Sequence, residues 1–99
     1  TWRQVADRIK HQTEVYDWEF LFLGAGIDAI ATATILNVHQ DNATQYSADA
    51  AGQAAAMASI SRKQIASRAK KYGMASDEQL RDADAPLDTI LKEEDGKRR

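Results

Sequence analysis

Apolar positions along this chain recur with two periods, and each change of period marks an element. Trp2, Val5, Ala6, Ile9 and Tyr16 fall on one side of a helix over 2–16, with Arg3, Asp7, Arg8, Lys10 and Glu14 elsewhere. Thr1 stands ready to cap it, because its hydroxyl accepts from a first-turn amide. The pattern breaks at Asp17. Trp18-Glu19-Phe20-Leu21-Phe22-Leu23 then forms a short, aromatic-rich run bounded by Asp17 and Gly24. From Phe20 on, both alternating faces are apolar, which predicts a parallel strand over 18–23 covered by helices on both sides. Gly24-Ala25-Gly26 reads as a turn. Helical spacing returns over 27–38 through Ile27, Ile30, Ala31, Thr34, Ile35 and Val38. After a polar loop over 37–42, Thr44-Gln45-Tyr46-Ser47 predicts a short second strand. Asp49 suits the N-cap of a long helix over 50–72. Its apolar side is predicted to hold Ala54, Met57, Ala58, Ser61, Ile65, Ala69 and Tyr72, and Gly73 is placed to end it.

Residues 74–99 change character: they are charged, carry the only proline, Pro86, and hold few large apolar groups. A weakly held helix is expected near 87–94, fraying through Lys97-Arg98-Arg99. The order helix, strand, helix, strand, helix, tail implies an α/β fold with a parallel sheet. The expected architecture is a fragment of a doubly wound, Rossmann-like sheet with about two strands and three helices. Residues 1–73 form the α/β unit, and 74–99 a charged tail, partly helical or disordered.

Two strands alone are at the lower limit of independent stability, and a long apolar edge invites pairing with another chain. Burying Phe20, Leu21, Phe22 and Leu23 stabilises by roughly 1.5–3 kcal/mol each. These four residues are therefore the expected interface. The cover is expected to be a second copy of the chain, forming a homodimer, or a missing N-terminal part of the same domain.

Composition narrows the chemistry. The chain has 99 residues, enough for one domain, and 43% hydrophobic residues, much of that alanine. Cysteine is absent, which removes disulfides, thiolate metal sites and a cysteine nucleophile. No run approaches the roughly 18 apolar residues of a membrane span, and the first residues lack a signal-peptide core, so a cytoplasmic location is expected with no membrane partner. Net charge is −2, which creates no global field favouring nucleic acid. Residues 1–73 carry eight Lys/Arg against seven Asp/Glu, and residues 74–99 carry five against eight.

Four constellations carry candidate chemistry. Gly24-x-Gly26-x-x-Ala29, after a strand and before a helix, echoes a dinucleotide fingerprint in which glycines let a pyrophosphate approach the helix N-terminus. Asp49 lies 20 residues after Ala29, where such sites place an acidic ribose ligand, but it suits a helix cap better. Asp28 at the helix start favours the helix dipole and repels phosphate. A plain strand-to-helix turn is the preferred reading, and nucleotide binding through Gly24, Gly26 and Asp28 the alternative. His11 and Glu14 share a helix face, but His39 is the only other histidine and no third ligand is evident, so neither metal nor cofactor is expected. No Ser/His/Asp arrangement is apparent. Arg62, Lys63, Arg68, Lys70 and Lys71 make the end of helix 50–72 basic. Contact with nucleic-acid phosphates is one reading, and a solvated face turned toward the acidic tail is the preferred one. Asn42-Ala43-Thr44 fits a glycosylation acceptor, read as chance without a secretion signal.

Val15-Tyr16-Asp17-Trp18-Glu19-Phe20-Leu21-Phe22-Leu23-Gly24-Ala25-Gly26-Ile27-Asp28-Ala29-Ile30-Ala31 resembles a segment near the C-terminus of bacterial and phage-associated von Willebrand factor type A (VWA) domains. There, a Trp-Glu-Phe strand leads through a Gly-Ala-Asn-x-Asp-Ala turn into the next helix. Gly26 stands where the family has asparagine. The likeness extends more loosely through 43–51 and Ser61-Arg62-Lys63, and covers about 1–72; the tail is unmatched. The resemblance implies a doubly wound sheet with helices on both faces, and adhesion or protein interaction through a metal-dependent site. That site uses an Asp-x-Ser-x-Ser loop with a later threonine and aspartate, and none of these can be carried onto this chain. The resemblance therefore implies the C-terminal half of such a domain, or a truncated descendant of one: a non-catalytic structural or protein-interaction module.

Overall fold

The computed structural model describes residues 1–16, 19–25 and 29–99. In chain order the elements are α1 (Trp2–Tyr16), β1 (Phe22–Ala25), α2 (Ala29–Ile35), a 3-10 turn (Gln40–Asn42), β2 (Ala43–Tyr46), α3 (Ala50–Lys71), α4 (Asp77–Asp84) and α5 (Leu87–Arg98). This is a mixed α/β architecture. Five helices stand where about three were expected, and β1 and β2 pair in parallel from Phe22 with Ala43 to Ala25 with Tyr46.

The strands alternate between two covered faces. Phe22 and Ala43 point toward α2, in a cluster with Ala33 and Val38 that Ile9, Phe20 and Leu36 close. Leu23 and Tyr46 point the other way, against Ala55 and Ala56 of α3 and Leu91 of α5. The strands are thus sandwiched between α2 with Ile9 of α1 on one side and α3 with α5 on the other. This double cover is what a strand apolar on both faces requires.

The first strand sits later than expected: 18–23 was anticipated, and Phe22–Ala25 pairs. Ladder length explains the shift. The chain before Ala43 is wound into the 3-10 turn, so β2 offers nothing to extend the ladder back to residues 19–21. Gly24 and Ala25, read as turn, are strand residues. Asp17, Trp18, Gly26, Ile27 and Asp28 lie outside the described residues.

Caps set the helix ends. The Gln4 amide donates to Thr1 Oγ1 at 3.4 Å. Helix α2 stops at Ile35, short of the anticipated Val38, because Asn37 turns left-handed at φ 63° and the Val38 amide closes on the Ala33 carbonyl at 2.8 Å. Asp49 caps α3 by accepting from the Gly52 amide at 2.7 Å, and Gly73, at φ 70°, follows its end.

The predicted apolar side of α3 is the wrong side. Met57, Ile65 and Tyr72 are exposed, whereas Gly52, Ala55, Ala56, Ser59, Lys63 and Ala66 are buried. Small residues win the inner face because they let α3 lie close to the sheet, α4 and α5.

The tail is also held more firmly than anticipated. A capping box at Ser76 and Gln79 starts α4, and α5 runs through Arg98 with Leu87, Ile90 and Leu91 buried. Asp88 near the start of α5 accepts from Thr44 Oγ1 at 2.9 Å, while Arg99 just past its end pairs with Asp49 at 2.9 Å. Helix α5 therefore follows β2 along its whole length.

Candidate functional site

The first candidate is the open edge of β1. Among the described residues, its only ladder partner is β2. Phe20, Leu21, Phe22 and Leu23 are each only partly buried, although Ala43 and Thr44 of β2 are fully covered. The most apolar strand is thus the less protected one. Helix α5 packs along β2, whose only ladder partner among the described residues is likewise β1.

Above this edge lies one flank of α3. Ser67 Oγ donates to Glu19 Oε1 at 3.3 Å, which fixes this flank over the residues entering β1. Steps of three and four residues along this flank give Gln53, Met57, Ile60 and Gln64 before Ser67, and the same steps continue into Arg68 and Lys71. Met57 is 64% exposed. Helix α1 carries a second uncovered stripe: Trp2, Val5 and Tyr16 are exposed, and Ala6 alone is buried.

The second candidate is a hollow of about 420 Å³ at the C-terminal ends of the strands, lined by Ala25, Gln45, Tyr46, Ser47 and Ala48. Open α/β sheets bind ligands at such ends. Gly24, from the alternative nucleotide reading, is buried within β1 opposite Gln45; Gly26 and Asp28 lie outside the described residues. Asp49, the would-be ribose ligand, is taken by the bidentate Arg99 guanidinium and by the Gly52 amide, which in that order hold its carboxyl below the usual range.

The third candidate is a hollow of about 450 Å³ between α1 and the end of α2 that includes Thr13, Phe20, Asn37 and His39. Its walls combine the amides and hydroxyls of Thr13, Thr34, Asn37 and Gln40 with apolar Phe20 and Val38. His39 Nδ1 accepts from the Asp41 amide at 3.1 Å, and the His11 ring meets Tyr16 edge-on at 5.8 Å. Among the described residues, no group of three or more His, Cys, Asp or Glu could hold a metal ion. No helix among them is long and apolar enough to cross a membrane.

Arg62, Lys63 and Lys70 of α3 turn toward the tail, and Lys63 is buried there where the preferred reading expected a solvated face. Arg62 is the hub: Nε and Nη2 form a fork on Asp82 at 3.0 and 2.7 Å, Nη2 also reaches Glu93 at 2.8 Å, and Nη1 reaches Glu94 at 3.2 Å. Lys70 pairs with Asp84. Lys63, 3% exposed, donates to the carbonyls of Ala83 at 2.8 Å and of Ala85, with Asp82 at 3.5 Å. The pattern of large apolar residues carried no sign of this lock, because α4 buries no residue and is held by charge.

The lock is acid-sensitive. Arg62 holds the Asp82 carboxyl below the usual range, Lys70 does so for Asp84, and Lys97, then Arg98 and Arg62, for Glu94. Carboxyls depressed in the fold stabilise it above their unfolded pKa of about 4, and that contribution disappears as pH falls through the folded values. Amide exchange followed from pH 6 to pH 3 should show protection lost first over 77–98. Simultaneous loss across β2 and α4 would contradict this.

No protein-family model, curated protein or solved structure matches this chain.

Proposed function

We propose that the chain is a non-catalytic structural or protein-interaction module that completes a doubly wound sheet, in the manner of the C-terminal half of a VWA-like domain, with β1 as the edge where the sheet grows. The observation that carries this reading is β1 itself: an apolar strand, covered on both faces, with a ladder partner on one side only among the described residues. Shape supports it. The Cα extents are 38 × 36 × 15 Å, those of a slab. A doubly wound domain cut to two strands is thin along its hydrogen-bonding direction, since strands lie only about 4.8 Å apart. Its other dimensions stay full, as α3 with 22 residues spans roughly 33 Å.

Amide exchange on dilute chain is the test. The outward amides of β1 should exchange at least about 100-fold faster than the most protected amides of α3, because an unpaired edge opens without global unfolding. Uniform protection across β1 in a monomer would refute the reading.

The hollow beyond Ala25 and Gln45 favours a second reading, a small nucleotide-binding unit using the turn after Gly24. The engagement of Asp49 by Arg99 counts against it. Millimolar adenine or nicotinamide nucleotide should leave the melting temperature unchanged; a clear rise would reverse the order of the two readings.

A further inference from the structure

We infer that the hollow between α1 and the end of α2 is a binding site for a neutral, hydroxyl-rich ligand, a hexose in its ring form. Its volume of about 450 Å³ falls within the roughly 300–1,000 Å³ of small-molecule sites. Charge is the first argument. Among the described residues, no Asp, Glu, Lys or Arg side chain lines the hollow, so an ionised ligand would give up water there without a counter-charge.

The chemistry of the walls points to a sugar. Thr13 Oγ1 donates to the Ile9 carbonyl at 2.7 Å, and Thr34 Oγ1 to the Ile30 carbonyl at 3.0 Å. Each hydroxyl has thus committed its proton and keeps accepting lone pairs. His39 Nδ1 accepts from the Asp41 amide, so the neutral ring carries its proton on Nε2 and donates there. Among the described residues, the carboxamides of Gln40 and Asn42 have no hydrogen-bond partner, and each offers both donors and an acceptor. Donors and acceptors mixed over several walls suit hydroxyl groups, because each hydroxyl donates and accepts at once. A planar base has its hydrogen-bonding edges in one plane and would leave much of this set to water. Phe20 and Val38 supply an apolar side, on which the C–H face of a pyranose packs.

The walls are held before a ligand arrives. Asn37, left-handed at φ 63°, donates from Nδ2 to the Ala6 carbonyl at 3.0 Å, which ties the end of α2 to α1. His39 caps the 3-10 turn that carries Gln40 and Asn42, and its carbonyl accepts from the Asn42 amide at 2.8 Å. Fixed walls lower the ordering cost of binding, but the hollow is open and its polar side chains are solvated, so the expected Kd is about 1–10 mM.

Amide chemical shifts of the full chain, followed during titration with D-glucose, D-galactose or D-mannose to about 100 mM, test the proposal. At least one hexose should give saturable shifts centred on Thr13, Thr34, His39 and the side-chain amides of Asn37, Gln40 and Asn42. Thr34→Val with Gln40→Ala alters only exposed side chains, so the melting temperature should hold. The double variant should bind at least about 10-fold more weakly. Gln45→Ala, in the hollow at the strand ends, should bind as the parent does. The corresponding hexose phosphate should bind no more tightly than the hexose. No shift from any of the three sugars would overturn the proposal, as would shifts that grow without saturation or centre on Ala25 and Ser47. Tighter binding of the phosphate, or parental affinity in the double variant, would overturn it too.

Discussion

Gly52→Ala should destabilise the fold by about 3 kcal/mol, lowering the melting temperature by roughly 15 °C for a domain of this size. Helix propensity alone points the other way, since alanine is favoured over glycine in a helix interior by about 1 kcal/mol. The surroundings of Gly52 reverse that sign. A Cβ built there would lie 2.0 Å from the Ser47 carbonyl oxygen and 2.7 Å from its carbon, with Asp49 Oδ1 at 2.9 Å. Ser47 is backbone between β2 and α3, so it has no flexible side-chain end that could yield. Moving it would also disturb the Asp49 cap, whose carboxylate accepts from the Gly52 amide and holds Arg99. The glycine is thus required by close approach, not by dihedral freedom. Thermal unfolding of G52A measures the effect, and an unchanged or raised midpoint would show that the strand-to-helix corner gives way freely. Gly96, with open space around its Cβ position, is the comparison: G96A should raise stability by up to about 1 kcal/mol.

Legibility in the sequence followed the type of force involved. Capping was readable, because a side chain and an amide a few residues apart form a local bond: Thr1, Asp49 and Gly73 stand where their chemistry placed them. The two strands were readable as elements, but the ends of β1 were not. Those depend on how far β2 extends, and β2 is limited by the 3-10 turn before it. The inner face of α3 was misread because large residues were weighted above small ones. Close packing selected Ala55, Ala56, Ser59 and Ala66, which leave room for neighbouring backbone. Helix α4 was missed for a different reason. It buries no side chain, so hydrophobic spacing has nothing to report, although Ser76-Asp77-Glu78-Gln79 carried a capping-box signature. The apolar run from Phe20 to Leu23 was legible on its own, whereas the α3 flank beside it required the Ser67–Glu19 contact to locate.

Lys63→Met should cost about 2–3 kcal/mol and release α4 before the rest of the molecule. Two effects compete. Burial opposes charge on Lys63 and pulls its pKa below the ordinary lysine value, with Glu19, Asp41, Asp84 and Asp82 pulling the other way. Removing a buried ammonium relieves that penalty, and a buried charge replaced together with its partner by apolar groups is often neutral. Here the partners remain. The carbonyls of Asp82, Ala83 and Ala85 lie at the end of α4, where a helix has no amides of its own left to satisfy them. Each buried polar group left unpaired costs about 1–3 kcal/mol, so losing two good bonds and one long one outweighs the relief. Methionine fills most of the space of the lysine stem, which keeps a cavity from confusing the result. Arg62 still holds Asp82 and Lys70 still pairs with Asp84 in the variant, so α4 keeps its side-chain tethers while the carbonyls at its C-terminal end lose their donor. Exchange of amides over 80–85 should quicken well before those of β2, with a fall in midpoint of about 10–15 °C. A K63M protein as stable as the parent would mean that water replaces the ammonium at these carbonyls, and that Arg62 with the buried Leu87, Ile90 and Leu91 suffices to hold the tail.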